Sequence, residues 1–223
     1  MKSLLVVLGV ALAMSTFANA QSEKITKVKT DQPYVALTFD DGPNGENMAA
    51  MMKILADNEA KATFFLIGKN VVKEPELAAK VHEQGHEIGN HTMTHPHLTK
   101  LPAEEVDGQI AETQKVIAEA TGVTPIIFRA PYLDQNNEVL TVVEQYGMPY
   151  AIGSSISVRD WQKDVTTEKI YERAAKGQAG DVILMHSWSV HTREALPRII
   201  ETLRSKGLQF VTVSELLAAR TDQ

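Results

Sequence analysis

From Tyr34 onward, short apolar runs alternate with longer amphipathic segments, the pattern of parallel strands joined by crossover helices. The runs Tyr34 to Phe39, Ala62 to Ile67, Glu87 to Asn90, Ile126 to Arg129, Tyr150 to Ser154, Val182 to His186 and Phe210 to Val213 predict strands. The clearest helix is Ala103 to Ala120, where Val106, Ile110 and Ile117 recur at spacings of four and seven before Gly122. Gly85, Gly147 and Gly207 each stand where a helix would stop and the next strand begin. About seven βα units in roughly 200 residues predict an α/β fold, a small or incomplete (β/α) barrel of parallel strands. A doubly wound open sheet is the alternative, because strand closure leaves no mark on a sequence. Nothing resembles a linker or an internal repeat, so residues 34–217 are expected to form one domain, with 21–33 an N-terminal extension and 218–223 a C-terminal tail.

The first twenty residues break this pattern. Met1 and Lys2 precede an apolar run from Leu4 to Ala13, and Ala18-Asn19-Ala20 precedes the polar Gln21. A basic start, a short apolar stretch and a small-x-small end predict a secretory signal peptide over residues 1–20. The run is too short for a membrane span, which needs roughly 20 apolar residues. Its removal takes away Lys2 and no acid, leaving 21 Lys and Arg against 28 Asp and Glu, a net charge of −7. Such an acidic chain, secreted or periplasmic, is a poor partner for nucleic acid or an anionic membrane. With no Cys in the chain, disulfides, thiolate metal sites and a cysteine nucleophile are excluded, and any metal must be held by His, Asp or Glu.

The unusual polar residues fall at the predicted strand ends: Asp40 and Asp41 after the first, His91 after the third, Arg129 after the fourth, Asp160 and Trp161 beyond the fifth, His186 ending the sixth. In α/β architectures those ends converge on one rim, where an active site is expected. Each has a plainer reading. Asp41-Gly42-Pro43 is also a turn, yet adjacent carboxylates repel unless a cation or proton reconciles them. His91 and His95, four apart in Asn-His-Thr-Met-Thr-His, would share a face of a helical turn that Pro96 ends. Two imidazoles plus one carboxylate make a catalytic zinc set with an open position. Arg129 could clamp a carboxylate bidentately. His186 is as well read as a core histidine, and His82, His86, His97 and His191 as surface or structural. Trp188 packs the rim or stacks on a ligand.

Together, Thr-Phe-Asp-Asp-Gly-Pro, His-Thr-Met-Thr-His, Arg-Ala-Pro-Tyr and Leu-Met-His resemble, in order, the motifs of the NodB-homology polysaccharide deacetylases, carbohydrate esterase family 4. The resemblance covers Tyr34 to Leu217. It implies a divalent metal, zinc before cobalt or another ion, bound by Asp41, His91 and His95. It makes Asp40 the catalytic base held by Arg129, and His186 the acid oriented by Asp160. Trp161 and Leu184 would line an acetyl pocket beside Pro131, and the Tyr132 amide would help stabilise an oxyanion. Two positions depart from the family: Ser157 and Ser187 stand where Asp is frequent, which bears on the surroundings of Arg129 and His186.

The implied reaction is removal of acetyl groups from N-acetylated sugars of chitin oligomers, peptidoglycan or poly-N-acetylglucosamine, by a monomer. Alternatives are an O-acetyl xylan esterase, a small-amide hydrolase of the same fold, and a glycan-binding module that has lost catalysis. The last should have lost its base, yet Asp40 is present.

Overall fold

The computed structural model describes residues 21–221. The expected signal peptide, 1–20, and the last two residues of the expected tail lie outside the described residues. The chain runs β1 (Glu23–Ile25), β2 (Tyr34–Gly42), α1 (Gly45–Asp57), β3 (Thr63–Leu66), α2 (Gly68–Lys73), α3 (Pro75–Glu83), β4 (Glu87–Asn90), α4 (Ala103–Thr121) and β5 (Ile127–Phe128). It continues through α5 (Asn137–Gln145), β6 (Tyr150–Ile152), β7 (Ile156–Ser157), α6 (Thr167–Ala174), β8 (Val182–His186), α7 (Val190–Ser205), β9 (Gln209–Phe210) and α8 (Val213–Ala218). The strands form one nine-stranded sheet in the order β1-β6-β5-β4-β3-β2-β8-β7, with β9 also on β2. Every pairing in it is parallel.

This order is an incomplete barrel, not the doubly wound alternative. The consecutive strands β6 and β7 sit on opposite sides of its opening. Residues 21–33, expected to be a mere extension, help close it. Strand β1 lies along β6, and Val28 N–H then reaches Gly180 O at 2.9 Å beside the start of β8. Gly180 is obligatory at that crossing: its φ is +82°, and a Cβ there would lie 2.0 Å from Val28 O. Strands β1 and β7 escaped the sequence reading because segments of three and two residues carry no periodicity.

Alternation along β2 decides what faces where. Val35, Leu37 and Phe39 point out to the helix layer, where Phe39 stacks on Phe64 at 5.1 Å. Ala36 points the other way, into an interior cluster with Phe65, Ile127, Ile152 and Val182. Thr38 and Asp40 continue that inward row, so period-two geometry delivers a carboxylate to the barrel interior. Helix α4 spans 103–121 and ends at Gly122 with φ 73°, as its spacing predicts.

Candidate active site

The first wall of the site is made by β2, β4 and the loops that follow them. At the end of β2 the pairing with β3 slips by one residue and Asp41 turns left-handed, with φ 74°. Asn44 and Asn70 side-chain amides hold its carbonyl at 2.9 and 2.8 Å. The adjacent acids thereby diverge, Asp40 inward and Asp41 toward the rim. After β4 the chain does not form the expected helical turn. Thr92 and His95 adopt φ 67° and 64°, and the loop is closed by side chains: Asn90 Oδ1 accepts Thr92 N–H, and Thr92 Oγ1 accepts His95 N–H. A β-branched residue at positive φ is an outlier of the kind found at functional sites. The loop still brings both imidazoles to one carboxylate. Asp41 Oδ1 lies 3.5 Å from His91 Nε2 and 3.2 Å from His95 Nε2.

These residues fit a metal ion. One ligand atom from each of Asp41, His91 and His95 lies within 4.8 Å of the others. Asp41 Oδ1 is buried and has no hydrogen-bond partner among the described residues, because neither imidazole contact has hydrogen-bond geometry. His91 Nδ1 sits 2.7 Å from the Arg129 carbonyl, which can only accept. The Nδ1 proton is fixed there, and the Nε2 lone pair is left toward Asp41. Burial alone would raise the Asp41 pKa, but donation and positive charge from the His91 and His95 rings, which require protons on Nε2 where no ion takes their place, outweigh it and hold the carboxyl far below its ordinary range.

Arg129 fills the barrel interior, fully buried, its guanidinium 4.1 Å from the centre of the Phe65 ring. Its grip on Asp40 is single, not bidentate: Nη1 donates to Asp40 Oδ1 at 2.7 Å and to Thr38 Oγ1 at 2.8 Å. The fork is occupied elsewhere, Nε by Ile152 O at 3.0 Å and Nη2 by Gly153 O at 2.8 Å. The backbone at the end of β6 thus does what a second acid could have done. Ser157 Oγ is buried on the cavity wall without a partner among the described residues. Ser187 is structural: its N–H and Oγ reach Asp40 O at 3.0 and 2.8 Å, and its Oγ also contacts Asn44 Oδ1.

The opposite wall belongs to β8 and α7. His186 Nδ1 is 2.6 Å from Asp160 Oδ1, while Asp160 Oδ2 accepts His186 N–H at 2.8 Å and Thr192 Oγ1–H at 2.6 Å. Burial would lower the His186 pKa, but its bond to Asp160, helped by the charges of Asp40 and Asp41, raises it above the ordinary 6.5. Thr192 was missed in the sequence, where a lone Thr early in a helix carries no signal. The His186 ring is flanked by Trp161 at 5.6 Å and Trp188 at 5.3 Å. Trp188 Nε1–H also crosses to Asp41 Oδ2 at 2.7 Å.

Between the walls lies a cavity of about 540 Å³, lined by Asp40, Asp41, His91, His95 and His186 together with Leu184, Trp161 and Tyr132. Leu133, unflagged in the sequence, also lines it. Pro131 does not: it is buried at the start of the turn Pro131–Leu133 and only shapes the backbone beneath the rim. In that turn Tyr132 takes φ 58°, and its ring stacks on His97 at 4.1 Å. His97 bonds to Asp134, outside the ligand set, and His191 bonds to Thr167. His86 is buried elsewhere, with both ring nitrogens unpartnered among the described residues.

An incomplete parallel barrel that gathers Asp41, His91 and His95, a buried Asp40–Arg129 pair and an Asp160-bound His186 on one rim defines a class of α/β proteins with a metal-compatible site at the strand ends. The family model described as polysaccharide deacetylase matches residues 27–151. The peptidoglycan-N-acetylglucosamine deacetylase PgdA of Listeria monocytogenes is 36% identical over 196 residues, covering 86% of this chain; the match takes in 40% of the length of that relative. A peptidoglycan-N-acetylglucosamine deacetylase of Bacillus cereus is 32% identical over 195 residues, covering 86% of this chain and 91% of its own. Among solved structures, the family 4 carbohydrate esterase from Streptomyces lividans in complex with acetate superposes with a TM-score of 0.79 at 35% identity, over 86% of this chain and 98% of that one. The chain belongs to the polysaccharide deacetylase family.

Proposed function

We propose that this chain hydrolyses acetyl groups from N-acetylated sugars of a cell-envelope or extracellular glycan, peptidoglycan before chitin oligomers, outside the cytoplasm. The observation that carries the reading is the orphaned Asp41 Oδ1 between two imidazole Nε2 atoms, with the Asp40–Arg129 pair beside it and the Asp160–His186 pair opposite. Asp41, His91 and His95 would hold a divalent cation; the N,N,O donor set with an open position suits zinc. Such a cation supplies Lewis acidity, polarising an amide carbonyl and making water easier to deprotonate.

The chain's own residues do the rest. Arg129 occupies Asp40 Oδ1, leaving Oδ2 to take the proton from the attacking water. Asp160 holds His186 Nδ1, so Nε2 carries the proton given to the sugar nitrogen as the C–N bond breaks and acetate departs. The Tyr132 amide is assigned to the tetrahedral oxyanion. Leu184 and Trp161 give the acetyl methyl an apolar seat. Tyr132, Trp161 and Trp188, exposed by 62%, 53% and 42%, offer rim faces to sugar rings, which favours a glycan over a small enclosed amide. Every group named comes from one chain, so the reading needs no partner subunit. Among the described residues no helix is long and apolar enough to cross a membrane.

The test is acetate release from peptidoglycan, chitin oligomers and acetylxylan, with and without a chelator. Release from the first two, abolished by chelation and restored by zinc, supports the reading. Release from acetylxylan alone replaces it with an O-acetyl esterase, and release untouched by chelation rejects it.

A further inference from the structure

Asp41 carries two oxygens in two different situations. Oδ1 is buried, faces both imidazoles and lacks a hydrogen-bond partner among the described residues, whereas Oδ2 accepts the Trp188 indole N–H at 2.7 Å. The indole hangs on a turn with little freedom. One residue before it, Ser187 is bound to Asp40 O through N–H and Oγ, and its own carbonyl accepts from Asn47 Nδ2 at 2.8 Å. One residue after it, Ser189 caps α7 by accepting Thr192 N–H at 3.2 Å. A tryptophan that served only as a platform for sugar would have no reason to spend its single donor on a carboxylate across the cavity.

We propose that Trp188 is a positioning residue for the cation-binding carboxylate: by occupying Asp41 Oδ2 it presents Oδ1 alone to the ion. The inference rests on the reading given above. Its physical content is twofold. The indole fixes the carboxylate rotamer, so the ordering of Asp41 does not have to be met when the ion binds. It also opposes two-oxygen coordination by Asp41, which would consume a position that substrate needs on a three-ligand site.

The experiment measures Zn²⁺ affinity by competition with a chromophoric chelator, on the metal-stripped protein and its Trp188→Phe and Trp188→Ala variants, with KM on chitin oligomers alongside. Phe keeps a ring and loses the N–H. Its zinc affinity is expected to fall about 10–100-fold, the usual cost of removing a group that holds a ligand. Trp161→Phe removes the other indole beside His186, which is not bonded to Asp41, and should bind zinc as the parent does. In that background Trp188 is the sole tryptophan of two, so its emission should shift on zinc addition without any change at position 188.

If Trp188→Phe binds zinc like the parent, or the emission does not move, the inference is overturned. A rise in KM for Trp188→Ala with zinc affinity unchanged would make Trp188 a sugar platform instead. A parent protein that binds no zinc overturns the proposed function itself, a result distinct from parent-like binding by the variant.

Discussion

The two walls of the cavity use the same materials, imidazole and carboxylate, and finish them differently. On the His186 wall both oxygens of Asp160 are engaged, by a ring nitrogen, a backbone N–H and the Thr192 hydroxyl. On the Asp41 wall one oxygen is fixed by an indole and the other is left bare between two ring nitrogens. A buried polar atom without a partner costs about 1–3 kcal/mol, and Asp41 Oδ1, unlike the other such atoms, faces two ring nitrogens across a space an ion could fill. The difference teaches a division of labour. On the proposed reading, the proton-donating side is set by the protein alone, whereas the electrophilic side is a socket. The backbone agrees: Asp41, Thr92 and His95 on the socket wall all adopt positive φ, while His186 sits at the end of a regular strand.

The strongest way to break this comparison is at the acid between the walls. Asp40→Asn should lower the rate of acetate release about 10²- to 10⁴-fold, as loss of a general base does. Zinc binding should survive, because Asp40 is outside the ligand set. Release at the parent rate with zinc still bound would remove Asp40 from the chemistry.

Asp160→Asn acts on the complete wall. Asp160 raises the His186 pKa, so the imidazolium persists to higher pH and activity should fall as pH rises through that raised value. Without the carboxylate, burial dominates, and the alkaline limb of kcat should move to lower pH, costing about tenfold for each unit moved at the alkaline end. The same sign governs stability: the pair's contribution is full below the ordinary histidine value of 6.5 and is lost as pH rises through the raised one. A pH–rate profile with an unmoved alkaline limb would sink the assignment.

The smallest effect on activity comes from His86, a buried imidazole without a hydrogen-bond partner among the described residues and away from the cavity. Burial pushes His86 down to about 4, so it stays neutral in the fold while the unfolded chain takes a proton below about 6.5. Stability should therefore drop as pH falls from 6.5 toward 4, by up to about 3 kcal/mol. His86→Leu should flatten that slope in thermal melts and leave acetate release at neutral pH unchanged. Retention of the parent slope would show that His86 is not its source.

Much of the site was legible because its residues sit at strand ends. Asp40, His91 and His186 follow or close β2, β4 and β8, and apolar runs that end in polar residues are visible by inspection. The way His91 and His95 converge was not legible. Spacing of four suggested a helical turn, but the choice of φ at Thr92 and His95 depends on bonds from Asn90 and Thr92 that only the closed loop makes. Arg129 was placed at the right strand end with the wrong grip, since its fork is occupied by the carbonyls of Ile152, which ends β6, and of Gly153 just beyond it, more than twenty residues away in the chain. Pro131 lay within a recognised motif yet is buried under the rim, a matter of which way a short turn rolls.

By itself the sequence determined the strand-and-helix alternation and which polar residues stand at the strand ends, because periodicity and residue type are local properties. Only the tertiary structure decided that residues 21–28 help close the barrel, that Asp41 and Asp40 diverge, that Thr192 completes Asp160 and that Trp188 reaches across to Asp41. Each of these depends on groups far apart in the chain coming within hydrogen-bonding distance. Such contacts follow from how the whole sheet curls and not from any window along the sequence.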